Sequence, residues 1–258
     1  MCNYLGGKMG KVITVINQKG GVGKTTTAHS LGIGLAKKKK KILMVDLDPQ
    51  GNLSYALSNN ESGENIYSIL MNEKPIKENI NHAEKFDYIL SDGKLSLADS
   101  QLLNTGREYI LKEALETVKN DYDFIIIDTP PSLGILTINS LSASDECIIT
   151  SQADIFSLQG IGQLDQTIKA IQKYCNPKLK IAGILITRYN GRTILAKDMA
   201  KNLEQIAIQL GTQVFKTKIR ECVAIKEAQA MRTDIFSYSN NNASKDYRDF
   251  IKEYLSKL

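Results

Sequence analysis

"NQKGGVGKTTT", Asn17–Thr27, follows a short β-branched run, "KVITVI" (Lys11–Ile16), and precedes a helical pattern that continues to about Lys37. A strand, a glycine-rich turn and a helix, in that order, are the context a phosphate-binding loop requires. Glycines let backbone N–H groups turn inward around oxygens, and the helix N-terminus adds positive potential. The strict pattern GxxxxGK[ST] needs glycine at position 18, which is Gln18, so "KGGVGKTT" is a variant. Gly20, Gly21, Val22 and Gly23 form its cradle. Lys24 is placed for the β- and γ-phosphates, Thr25 supplies a hydroxyl to Mg²⁺, and Thr26 completes the set. Lys19 adds a second cation at the mouth of the loop, more than phosphate binding needs.

Two carboxylates answer this loop. "ILMVDLDPQGN" (Ile42–Asn52) runs an apolar strand into Asp46, and "FIIIDTPPS" (Phe124–Ser132) runs another into Asp128. Asp128 is the natural acidic partner of Mg²⁺. Asp46 is placed to orient or activate an attacking water, and Asp48 to assist the metal shell, although aspartate there also suits a turn or a cap.

Strand and helix patterns alternate along all 258 residues. Strands are predicted at Lys11–Ile16, Lys41–Asp46, Asp87–Ser91, Asp123–Asp128, Glu146–Thr150 and Lys180–Thr187, with a short one near Gln213–Phe215. Helices are predicted over about Thr25–Lys37, Arg107–Lys119, Ser157–Tyr174, Ile194–Leu210 and Ser244–Lys257. Strands that are apolar throughout belong in a parallel sheet covered on both faces. The fold class is therefore α/β: a doubly wound, mostly parallel sheet whose ligands bind beyond the carboxyl ends of the strands. Residues 1–10 read as a loose leader, with Met9 an alternative start to Met1, and residues 11–258 as one P-loop ATPase domain.

The stretches "KGGVGKTT", "VDLDPQGNLS" and "DFIIIDTPPS", together with "REYILKEAL" (Arg107–Leu115), "LQGIGQL" (Leu158–Leu164) and "ITRYNGR" (Ile186–Arg192), resemble the ParA/Soj-type ATPases with a deviant phosphate loop, in the ParA/MinD superfamily. "DPQGN" favours the ParA branch over MinD. The resemblance implies ATP and Mg²⁺ as cofactors and slow, partner-stimulated hydrolysis by a homodimer formed with ATP. It implies that Lys19 reaches across the dimer to the partner subunit's nucleotide. Such a trans cation neutralises the triphosphate as an arginine finger does. It also makes pairing depend on ATP, because two cationic loops repel without phosphates between them. Adenine contacts are carried over to Thr187, Arg188 and the stretch near Ile219–Glu227. ParA-type dimers coat duplex DNA without sequence preference, and a small centromere-binding partner, ParB-like or ribbon-helix-helix, releases them. With the first strand at residue 11, the chain resembles the short form, without an N-terminal helix-turn-helix domain. The implied setting is cytoplasmic and nucleoid-associated, with plasmid, chromosome or mobile-element segregation as the task. The alternative is a MinD-like, membrane-associated spatial regulator.

Composition bounds these readings. Net charge is +5, which permits nucleic-acid binding without requiring it. No apolar run approaches the roughly 18 residues that span a bilayer. The four cysteines are scattered, without CxxC, and only two histidines are present, which argues against zinc or disulfides. Candidate DNA contacts are Lys216, Lys218, Arg220, Lys226 and Arg232 in one segment, with Lys245 and Arg248 on the last helix. Ala224 stands where relatives lead one to expect an arginine. "KKKKK" (Lys37–Lys41) reads better as a solvated helix C-terminus, where cations complement the dipole, than as a DNA contact. The apolar stripe of the last helix (Tyr247, Phe250, Ile251, Tyr254, Leu255 and Leu258) reads better as core than as a membrane anchor.

Overall fold

A run such as Phe124–Asp128 has no polar face to give to water, so it must be covered on both sides. The computed structural model, which describes residues 10–58 and 65–258, meets that demand with one sheet of seven strands among the described residues. In chain order the elements are β1 (Lys11–Ile16), α1 (Lys24–Lys37), β2 (Ile42–Asp46), α2 (Asn52–Leu57), α3 (Ile66–Leu70), β3 (Asn81–His82), β4 (Asp87–Ile89), α4 (Ala98–Gln101), α5 (Ile110–Glu116), β5 (Phe124–Asp128), α6 (Ile135–Ala143), β6 (Glu146–Gln152), α7 (Ile155–Tyr174), β7 (Lys180–Thr187), α8 (Ile194–Gln209), α9 (Val223–Ala230), α10 (Ile235–Tyr238) and α11 (Asn242–Leu255). Strand order is β3-β4-β2-β5-β1-β6-β7. Every pairing is parallel except β3 with β4.

Alternate side chains along each strand enter opposite layers. Ile13, Val15, Met44, Ile126, Ile148 and Leu185 face α1 and α11, where Tyr247, Phe250, Ile251 and Tyr254 are buried. Val12, Leu43, Val45, Ile125 and Ile127 face α3, α5 and α6. Cys147, Ile149, Ile184 and Ile186 face α7 and α8. Those four positions of the α11 stripe are thus core, Leu255 is partly buried and Leu258, beyond the helix, is exposed; an Asn241–Ser244 capping box starts α11. No helix among the described residues is long and apolar enough to cross a membrane.

Register decides where the chemistry falls. Asp46 pairs with Asp128, and Asp128 pairs with Val15, so β2, β5 and β1 end side by side. The loop after β1 and both carboxylates therefore share one edge of the sheet.

Several sequence expectations change. The helix predicted over Arg107–Lys119 spans only Ile110–Glu116. The strand predicted near Gln213–Phe215 is an isolated bridge, Ile184 with Val214, held by two backbone hydrogen bonds of 2.9 Å. Helix α6 went unread because Ile135, Thr137, Asn139, Ser140, Leu141 and Ser142 are all buried, which leaves no polar stripe to reveal a period. Of the predicted leader, residues 1–9 lie outside the described residues. Gly10 is buried and its N–H donates to the Lys119 carbonyl.

Candidate functional site

At the end of β1 the Asn17 side chain fixes the chain's departure. Its amide donates to the Thr150 carbonyl on β6, and its oxygen accepts from the Lys19 N–H at 2.9 Å. The loop then passes through Gly21 (φ 73°) and Gly23 (φ 81°), both in the left-handed region that favours glycine. Gly23 is also the residue before α1 and offers no capping side chain, so first-turn N–H groups remain for a ligand. Val22 is buried, and the Thr187 hydroxyl at the end of β7 donates to its carbonyl at 2.7 Å. Gln152 donates to the Gly21 carbonyl at 3.1 Å, and Gln229 to the Thr26 hydroxyl at 3.0 Å. The loop is therefore braced from β6, β7 and α9.

Lys24 is buried, and its ammonium donates to the Lys19 carbonyl at 3.1 Å. Burial lowers its pKa, opposed by Asp128 and then Asp48. Asp128 is fully buried, and neither carboxylate oxygen has a hydrogen-bond partner of normal geometry. Burial and the neighbouring Asp46 push its pKa well above the carboxylate range, while Thr25 and Lys24 favour the ionised form. Both of its oxygens can therefore serve a metal ion. Among the described residues no three His, Cys, Asp or Glu side chains form a metal cage. Mg²⁺ does not need one: it is commonly held by one or two carboxylates, waters and substrate phosphates. Asp128 beside the Thr25 hydroxyl fits that donor set.

Asp46 is tied to its own turn. Its Oδ1 accepts from the Asp48 N–H at 3.0 Å, and its Oδ2 accepts from the Ser54 N–H at 2.7 Å and the Ser54 hydroxyl at 2.8 Å. Burial raises its pKa to about 6 against those hydrogen bonds. Both oxygens are thus committed to the chain, and Asp46, like Asp128, is not among the residues lining the cavity beside the loop. Asp48 lines the cavity instead.

That cavity measures about 610 Å³, within the range of small-molecule sites. The phosphate loop forms one end, with Asp48 and Gln50 beside it. Thr187, Arg188, Ile219, Glu221, Cys222 and Ile225 form the other. Arg188 has φ 49° and bonds Glu221 at 3.0 Å. Lys19 does not line this cavity. Its ammonium lies 2.9 and 2.8 Å from the two oxygens of Asp154, the N-cap of α7.

The cations proposed for DNA separate. Lys226 lines the nucleotide cavity. Arg232 stacks 3.9 Å above the ring of Tyr55, which also lines it. The Arg220 guanidinium is paired with the buried Asp246 at 2.6 Å, and its N–H donates to the same carboxylate. In the single subunit these three thus have partners or neighbours at the cavity or on α11. Lys216, Lys245 and Arg248 are exposed; Lys218 sits over the Tyr189 ring at 4.8 Å. They lie along α11, to which the Lys216 and Thr217 N–H groups are tied through Glu253. Sequence reasoning missed Ser54, Ser91, Gln152, Asp154 and Gln229. Only Ser54 carried a signal, inside "DPQGNLS".

A parallel sheet whose first strand feeds a lysine-bearing glycine loop, with an unpartnered aspartate at the next strand's end, defines a P-loop NTPase. A family model described as AAA domain matches residues 10–181. The sporulation initiation inhibitor protein Soj of Bacillus subtilis is 40% identical over 251 residues, covering 95% of this chain and 98% of Soj. A plasmid partition protein from Borrelia burgdorferi bound to AMPPNP superposes with a TM-score of 0.83 at 28% identity, over 96% of this chain and all of that one. Cobyrinic acid a,c-diamide synthase from Mycobacterium smegmatis, with ATP analogue and magnesium, gives 0.81 at 31%, over 94% and 93%. The chain belongs to the ParA/Soj family of P-loop ATPases.

Proposed function

We propose that this chain is a Mg²⁺-dependent ATP hydrolase that partitions DNA, with residues 11–258 acting as one catalytic domain. The buried Lys24 beneath the glycine loop, with Asp128 unpartnered beside Thr25, is the observation that carries the reading. Lys24 and the loop N–H groups bind the β- and γ-phosphates. Thr25 and Asp128 hold Mg²⁺, which supplies charge neutralisation on the phosphates. Asp48 faces the attacking water, and Thr187 and Arg188 border the base. Lys19 leaves Asp154 and enters the partner subunit's site, so hydrolysis requires the ATP homodimer.

The ATP dimer binds duplex DNA without sequence preference, and a small ParB-like or ribbon-helix-helix protein stimulates hydrolysis and release. The partition name of the Borrelia burgdorferi neighbour supports this task, as do the exposed cations along α11. This reading is preferred to the MinD-like alternative because Tyr247, Phe250, Ile251 and Tyr254 of α11 are buried. Phosphate release and sizing chromatography, with and without Mg²⁺-ATP and duplex DNA, test the proposal. ATP-dependent pairing with DNA retention is expected; a protein that stays monomeric and does not hydrolyse ATP overturns it.

A further inference from the structure

Beside the nucleotide site lies a hydrogen-bonded relay that the ATPase reading does not use. The Ser54 hydroxyl donates to Asp46 Oδ2 at 2.8 Å and accepts from the Ser91 N–H at 2.7 Å. The Ser91 hydroxyl in turn donates to the main-chain carbonyl of Asp48. Asp46 closes the circuit by accepting from the Asp48 N–H. The peptide groups on both sides of the Asp48 side chain are therefore fixed, the N–H by Asp46 and the C=O by Ser91. Ser91 follows β4, so the turn after β2 is fastened to the neighbouring strand's exit. The Asp48 side chain holds itself further by accepting from the Gln50 N–H at 3.0 Å.

We propose that Ser54 and Ser91 are positioning residues for hydrolysis, which set the Asp48 carboxylate against the γ-phosphate side of the cavity. The inference rests on the ATPase reading and on Asp48 facing the water. A hydroxyl is needed at position 54 because one group must donate to Asp46 and accept from Ser91 at once. Alanine does neither; threonine does both. A carboxylate held through a flexible turn loses its near-attack geometry, and small misplacements lower the rate steeply. Neither serine lines the cavity, so ground-state binding of ATP does not depend on them.

The test uses the full chain with Mg²⁺-ATP. Ser54→Ala and Ser91→Ala are expected to lower kcat at least about tenfold, with ATP affinity, read by a fluorescent ATP analogue, within about twofold of wild type. Ser54→Thr is expected to restore kcat. The double variant is expected to be no slower than the slower single, because both act on one turn. Thermal melts accompany each variant. If Ser54→Ala does not fold, Ser91→Ala and Ser54→Thr carry the test. Wild-type kcat in Ser91→Ala, a threonine variant as slow as alanine, or loss of ATP affinity in parallel with kcat overturns the proposal. Wild-type protein that hydrolyses no ATP overturns the ATPase reading along with it, whereas active wild type with unaffected variants overturns the relay alone.

Discussion

Lys19 and Lys24 leave the same loop and end in different places. Lys24 turns inward under the glycine cradle, while Lys19 turns outward to Asp154. Their substitutions should therefore fail differently. Lys24→Ala should lose ATP binding. Lys19→Ala should retain it but hydrolyse about 10³-fold more slowly, at the low end of what a trans cation supplies; wild-type turnover would refute the trans role. The two aspartates of "DLD" also part company. Asp46→Ala leaves buried donors on Ser54 and Asp48 without an acceptor, at about 1–3 kcal/mol for each one unsatisfied. A clear drop in melting temperature is expected for it. Asp48→Ala should melt near wild type, bind ATP and pair, yet fail to hydrolyse. Calorimetry beside phosphate release separates the two, and equal melting temperatures would undo the assignment of Asp46 as anchor.

Among the elements, α1 carries both the site and a half-buried imidazole. Burial holds the His29 pKa at about 4, against a weaker pull upward from Asp234. Across the window from about 4 to 6.5 the unfolded chain binds a proton that the folded chain does not. Stability is therefore present above the window and lost as pH falls through it. His29→Gln should flatten that loss, as read by urea midpoints on either side; an unchanged slope would assign the acid sensitivity elsewhere. Gly34 on the same helix meets Ile251 and Phe236, so Gly34→Val should cost about 1–3 kcal/mol by overpacking α1 against α11. What was legible beforehand follows from period and punctuation. β1 and β7 were read to the residue, because β-branched runs with sharp boundaries mark strands well. The phosphate loop was legible for its glycines and its context. The role of Asp46 was not, since strand position tells where a carboxylate arrives but not which donors claim its oxygens. The same holds for Arg220: charge is visible in sequence, and its partner Asp246, 26 residues away, is not.

For the molecule as a whole, the exposed cations Lys216, Lys245 and Arg248 and the half-buried Lys218 belong to the segment along α11. If each subunit contacts about three phosphates, pairing would steepen the log–log salt slope of DNA binding from roughly −2.7 to roughly −5.4. Charge reversal of those four residues should abolish DNA retention and leave ATP-driven pairing intact. Binding that stays the same with ATP, ADP and no nucleotide would remove the switch. Such a switch also depends on what the sheet's borders do not offer. One border ends in β3, two residues long and antiparallel, and beyond β7 the chain lays Val214 against Ile184. Open strand edges recruit other chains without regard to any ligand. Among the described residues, with one margin this short and the other partly overlaid, backbone zippering gives two copies little to adhere by, and self-recognition is left to loops and helix ends, where a small molecule can grant or withhold it.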